Sequence, residues 1–132
     1  MTREDIVSHK ILIVEDNDKN MKLVRDVLRH QGYTTLEAVT GEAGWALAVA
    51  ERPDLVLMDI QLPDIDGIAV LKRIRADASF DAMPVVAVSA SVMPDDQHKI
   101  AGSGFDAFIH KPISLKPFLA TVERYLRNGR QG

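Results

Sequence analysis

The chain contains no cysteine. Neither a disulfide framework nor a thiolate metal site is possible, and the composition fits a reducing compartment. No stretch approaches the roughly 18 apolar residues of a membrane-spanning helix. The N-terminus, Met1-Thr2-Arg3-Glu4-Asp5, is polar, without the apolar segment of an export signal. Positive charge is not in excess: 16 Lys and Arg stand against 19 Asp and Glu, for a net charge of -3. That balance argues against nucleic acid as the main partner. The 4 histidines (His9, His30, His98 and His110) show no metal-ligand spacing. Internal repeats, low-complexity tracts and interdomain linkers are also missing. These absences leave a soluble cytoplasmic protein with no membrane and no nucleic-acid role. Its 132 residues suit one domain, which at that length buries roughly two-thirds of the surface the unfolded chain exposes.

Short apolar runs alternate with longer amphipathic stretches. The runs predict strands at Lys10–Val14, Thr34–Ala38, 55–58, Val85–Ser89 and Ala107–His110. Residues 11–14, 55–58 and 85–88 are continuously apolar, as a strand covered on both faces must be, and parallel sheets are buried that way. Helical spacing predicts a helix over about 19–31, with Met21, Val24, Val27 and Leu28 on one face, ending at Gly32. A second stripe holds Ala43, Ala46, Leu47 and Ala50 before Arg52-Pro53. A third holds Ile68, Leu71, Ile74 and Arg75, with Asp66 as N-cap. Residues 94–101 predict a weak, polar fourth helix. The last helix carries Leu115, Phe118, Leu119, Val122 and Leu126, with Ser114 as cap and Pro117 in the first turn, where its missing N–H costs nothing. Alternating strands and helices imply an α/β fold: a doubly wound, five-stranded parallel sheet in the order 2-1-3-4-5 with five helices. Residues 10–127 form the domain, 1–9 an N-terminal extension and 128–132 a tail too short to be an output domain.

In such a sheet the functional crevice lies beyond the carboxyl ends of the strands, where the strand order reverses. Glu15 and Asp16 follow strand 1, Asp59 follows strand 3, Ser89 ends strand 4 and Lys111 follows strand 5. The fold therefore brings several carboxylates and one amine to one edge. Carboxylates that close repel one another and raise each other's pKa. A hard divalent cation removes the conflict, and oxygen-only ligands favour Mg²⁺. Lys111 is a point charge suited to a phosphate oxygen, and Ser89 offers a hydroxyl. The turn after Asp59 (Ile60 and Gln61) and the N–H of Ala90 can supply backbone donors, and Ala90 is small enough to leave room for an entering group. Asp59 is then a candidate covalent phosphoryl acceptor.

Short motifs carry a resemblance over about residues 10–126: Glu15-Asp16-Asn17, Met58-Asp59 with Leu62-Pro63 and Asp66-Gly67, residues 85–90, and Lys111-Pro112. In that order, at strand ends, they resemble the receiver domains of two-component response regulators, with their flavodoxin-like fold. Val14 to Asn17, Asn20 to Leu23 and Met58 to Pro63 are similar to the stand-alone, cell-division regulators of the DivK type. The resemblance implies that Asp59 takes a phosphoryl group from a phosphohistidine on a sensor histidine kinase or histidine phosphotransfer protein. It implies that Asp16, Asp59 and the Gln61 carbonyl bind Mg²⁺, with Glu15 acting through water, and that Lys111 pairs with Asp59 and then with the phosphate. Ser89 moves toward the phosphate, and Phe108 turns inward behind it. The Lys111–Pro112 peptide bond is cis in the family. Partners dock on the face made by the fourth helix, the fifth strand and the last helix, and output is protein–protein contact or onward phosphotransfer. The protein catalyses its own phosphorylation and dephosphorylation and turns over no external substrate.

Plainer readings apply elsewhere. Asp64 and Asp66 read as turn and cap residues, Trp45 as cover for the second helix, and Arg124, Arg127 and Arg130 as favourable charges at a helix C-terminus. The alternative function is a phosphorylation-independent pseudo-receiver, although such modules lose an acidic residue or the lysine and this chain keeps them. A haloacid-dehalogenase-type phosphatase needs an Asp two residues after its nucleophile, where Gln61 stands. A dinucleotide fold needs a glycine loop where Glu15-Asp16-Asn17-Asp18 stands.

Overall fold

The computed structural model describes residues 9–90, 102 and 104–131. Strands β1 (Lys10–Val14), β2 (Thr34–Ala38), β3 (Leu55–Asp59), β4 (Val85–Ser89) and β5 (Ala107–His110) form one sheet. Its order is β2-β1-β3-β4-β5, and every pairing is parallel. Among the described residues lie α1 (Asp18–His30), α2 (Gly41–Glu51), α3 (Gly67–Ala76) and α4 (Leu115–Asn128). Residues 94–101, expected as a further helix, fall outside the described residues. No helix is long and apolar enough to cross a membrane among the described residues.

Continuous apolarity in the central strands has the predicted cause. Along β1 and β3, Ile11, Ile13, Leu55 and Leu57 enter a core shared with Met21, Val24 and Leu28 of α1 and Phe118 and Val122 of α4. Their neighbours Leu12, Val14, Val56 and Met58 enter a second core with Ala48 of α2 and Val70, Leu71 and Ile74 of α3. The period-2 alternation of a strand thus feeds an apolar layer on each face. Edge strands β2 and β5 are only partly covered.

The helix boundaries follow from their caps. The Asn17 side chain accepts from the Asn20 N–H, Thr40 from Ala43 and Asp66 from Ala69, each satisfying one orphan N–H of a first turn. Ser114 occupies the cap position of α4 without a side-chain cap bond. After α1 the chain turns at Gly32, with φ of +95°, a backbone region that favours glycine.

α2 is rotated from its expected face. Gly41, Gly44 and Ala48 are buried, whereas Ala46 and Ala50 are exposed. The reason is close approach: a Cβ on Gly44 would lie 2.8 Å from Val14 Cγ2, so the glycine side of the helix rests on the sheet, while Ala43 and Leu47 of the expected stripe pack at its margin. Trp45 is half-buried, edge-on to Phe80 with ring centroids 6.2 Å apart. Arg130 also departs from its expected role. Its Nε donates to Asp106 Oδ1 at 3.0 Å and its Nη1 to the Asp81 carbonyl at 3.0 Å. It therefore anchors the end of the chain instead of serving a helix dipole.

Candidate functional site

The parallel order places β1 beside β3, with Val14 opposite Met58 in register. Glu15 and Asp16 therefore emerge next to Asp59, which is itself the last residue of β3. One carboxylate oxygen from each of Glu15, Asp16 and Asp59 lies within 4.8 Å of the others. Glu15 and Asp59 are 4% and 5% exposed, while Asp16 is open to solvent. Burial follows from backbone position: the Glu15 N–H still donates to the Ala38 carbonyl at 2.9 Å, as if β1 continued.

Lys111 completes the cluster. Its Nζ lies 2.8 Å from Glu15 Oε1 and 3.1 Å from Asp59 Oδ2. Its backbone N–H donates to the Ser89 carbonyl at 3.0 Å, so the end of β4 sets where the lysine leaves β5. The Lys111–Pro112 bond is cis. The Gln61 N–H donates to Asp59 Oδ1 at 3.1 Å and the Asn17 N–H to Glu15 Oε2 at 3.1 Å. Both buried carboxylates therefore face one amine and one backbone N–H each.

Burial raises the Glu15 carboxyl above its ordinary value, and the adjacent Asp59 adds to the rise. Lys111 and the Asn17 N–H oppose it without cancelling it. Burial alone would lower the Lys111 amine. Its hydrogen bond to Glu15 and the charge of Asp59 outweigh that and raise it. The pocket thus holds a charged lysine as internal counterion to more acid than it can balance.

Of the remaining sequence-predicted residues, Ser89, Ala90, Ile60 and Gln61 stand at or just beyond the ends of β4 and β3, and Phe108 sits further back, within β5. Ser89 is fully buried at the end of β4, opposite His110 of β5, and Ala90 is exposed just beyond it. Ile60 is half-buried and Gln61 exposed, at the start of the loop that leaves Asp59. Phe108 is half-buried on β5, its ring edge-on to that of His110 with centroids 4.5 Å apart. Strand-end placement predicts that Lys111 comes near these carboxylates, but not that its shorter contact is with Glu15.

The donor set suits a small hard cation. Two oxygens bound to one Mg²⁺ at about 2.0–2.1 Å can be at most about 4.2 Å apart, and the three carboxylate oxygens all lie within 4.8 Å of one another. All donors are oxygens, and the exposed Asp16 leaves room for the waters that Mg²⁺ retains.

Comparison with known proteins adds a family context. Residues 11–123 match the response regulator receiver domain family. The polar-differentiation response regulator DivK of Brucella anthropi is 44% identical over 116 residues, covering 88% of this chain and 94% of that protein. Its counterpart in Brucella abortus is 42% identical over 120 residues, covering 91% and 98%. Among solved structures, a sensor histidine kinase receiver domain from Pseudomonas aeruginosa has magnesium coordinated in its active-site cleft. It is similar at a TM-score of 0.85 and 28% identity, over 91% of this chain and 98% of that one. A CheY-like response regulator receiver domain protein from Methanospirillum hungatei is similar at a TM-score of 0.81 and 28% identity, over 90% and 94%.

Proposed function

This chain belongs to the response regulator receiver domain family as a DivK-like member, and from that membership we propose that Asp59 is the phosphoacceptor of a two-component relay. The observation that carries the reading is the shared lysine: Lys111 Nζ sits 3.1 Å from Asp59 and 2.8 Å from Glu15, beside a third carboxylate, Asp16. Such a pocket can take up a phosphoryl group because its positive charge is already in place.

The donor is a phosphohistidine on a sensor histidine kinase or a histidine phosphotransfer protein. An Asp59 carboxylate oxygen attacks the phosphorus, the P–N bond breaks, and the departing imidazole takes a proton from solvent. Lys111 then pairs with a phosphoryl oxygen, and Ser89 and the N–H groups of Ile60, Gln61 and Ala90 contact the others. In the return step a water attacks the phosphorus, the bond to the Asp59 oxygen breaks and inorganic phosphate leaves. Asp16, Asp59 and the Gln61 carbonyl would hold Mg²⁺, with Glu15 acting through water; when bound, the ion supplies positive charge against the phosphoryl oxygens.

The signal passes as a shift toward a minor conformation that phosphate favours, with Ser89 and Phe108 linking the site to the partner-docking face. Part of that face, residues 94–101, lies outside the described residues. Output is protein–protein contact or onward phosphotransfer by a stand-alone regulator, in a process of the polar-differentiation kind that its relatives' names denote. Intact mass after acetyl phosphate and Mg²⁺ tests the reading. One phosphoryl adduct is expected, lost in Asp59→Asn; an adduct that survives that substitution refutes it.

A further inference from the structure

The loop leaving Asp59 is tied at both ends. At one end, the Gln61 N–H returns to Asp59 Oδ1. At the other, the Gly67 N–H donates to the Ile60 carbonyl at 2.8 Å, and Asp66 caps α3. Between those ends, Asp64 attaches the loop to a different element. Its Oδ1 accepts from the Gly41 N–H at 2.8 Å and its Oδ2 from the Glu42 N–H at 2.9 Å. These are the first two N–H groups of α2, which have no partner within the helix. The third, Ala43, is held by Thr40. A carboxylate fits this place because two oxygens meet two parallel donors at the positive end of a helix.

A separate observation brings the same surfaces together. A Cβ on Gly41 would lie 2.5 Å from Ile65 Cγ1, so Ile65 packs where the glycine leaves space. The hydrogen bonds and the packing fix the loop against α2, and α2 in turn rests on Val14 through Gly44. Val14 immediately precedes Glu15, so the two acidic segments of the site are braced through one helix.

We propose that Asp64 is a positioning residue: by clamping the 60–66 loop to the start of α2, it sets where the backbone of Ile60 and Gln61 stands relative to Asp59 and Asp16. Asp64 touches no reacting atom itself. The inference rests on the phosphoacceptor and metal reading above and specifies how the backbone part of that site is held. Its consequence is a defined loss. Without the clamp, the Gln61 carbonyl and the donors beside it are held by the loop's ends and by the apolar packing of Leu62 and Ile65, with no polar tie to α2.

Magnesium titration by calorimetry on wild type, Asp64→Ala and Asp64→Asn tests this, with amide hydrogen exchange of 60–66 measured in the metal-free proteins. In Asp64→Ala the loop amides exchange faster and magnesium binds about tenfold more weakly, the scale typical when a group supporting a ligand is removed. Asp64→Asn, which keeps one acceptor oxygen, falls between. Wild-type magnesium affinity in a folded Asp64→Ala protein overturns the proposal. If wild type itself takes neither magnesium nor a phosphoryl adduct, the site reading fails instead. The clamp is then judged on exchange alone, and unchanged protection of 60–66 in both variants refutes it.

Discussion

Gly67 lies against the backbone of Asp59 with no room for a side chain. A Cβ there would overlap the Asp59 carbonyl oxygen and sit 2.9 Å from Met58 Cγ. The obstacle is mostly backbone at the end of a buried strand, so relief requires β3 or the start of α3 to move. Gly67→Ala should therefore destabilise the protein by about 1–3 kcal/mol, as overpacking does, and slow phosphorylation because the displaced atoms belong to the proposed acceptor. Urea unfolding and the rate of adduct formation check this. Unchanged values in both would show that the contact is slack.

Glu15 makes the metal-free site a source of instability at neutral pH. Its carboxyl is raised above the ordinary 4.5, first by burial and further by Asp59. Between 4.5 and that raised value the folded chain holds a proton that the unfolded chain has lost. Stability contributed here therefore falls as pH rises through that window. Glu15→Gln removes the slope. Without divalent cation, the melting temperature of the variant should gain on wild type as pH rises from 4.5 to 7. Saturating magnesium should reverse the order, since an ion at 100 times its Kd adds about 2.7 kcal/mol to the protein that binds it and the variant lacks one carboxylate. Parallel melting curves across pH would contradict this.

The parts of this architecture that depend on local pattern were legible in the sequence. Continuous apolar runs marked the buried strands, and the parallel order they imply put Asp16 and Asp59 side by side. What was not legible depends on single long-range hydrogen bonds or on missing atoms. Arg130 looked like a helix-end charge, but its partner Asp106 lies 24 residues away. The expected stripe of α2 is half right: Ala43 and Leu47 pack against the core, but Ala46 and Ala50 are exposed because glycine, which carries no hydropathy signal, permits the closer approach. Asp64 was readable as a turn residue. That its carboxylate serves α2 depends on the loop and helix meeting in space.

Asp64 should also leave a signature in acid. Hydrogen bonds from the Glu42 and Gly41 N–H groups hold its carboxyl down at about 2, against an ordinary 3.8. A value lower in the folded state means that the ionised form stabilises the fold. That contribution is complete above 3.8 and disappears as pH falls toward 2. Asp64→Asn keeps an oxygen but not the charge, so its melting temperature should fall below wild type at pH 7, with the gap narrowing in acid. A gap that persists undiminished as pH approaches 2 would assign the difference to something other than this carboxylate.

Asp106 gathers charge at the opposite end of β5 from the site. Its Oδ2 accepts from the Val85 N–H at 2.8 Å and from Arg75 Nη2 at 3.0 Å, and its Oδ1 from Arg130 Nε at 3.0 Å. The side chain is only 7% exposed, and that of Arg75 16%. Burial, then the nearby Arg130, pushes the Arg75 guanidinium down, and Asp106 opposes this. Removing the carboxylate leaves a partly buried cation and a strand N–H without their partner. Asp106→Ala should accordingly lose about 3–5 kcal/mol, the range for breaking a buried ion pair from one side, and Asp106→Asn less. The proposed phosphoryl site should not notice. Asp106 precedes β5 and Lys111 follows it, so they stand about 13–17 Å apart at the rise of a strand. Urea unfolding measures the loss, and adduct formation on the folded fraction should match wild type. A folded, fully stable Asp106→Ala protein with impaired phosphorylation would mean that the cluster communicates with the site and does not merely fasten the base of the sheet.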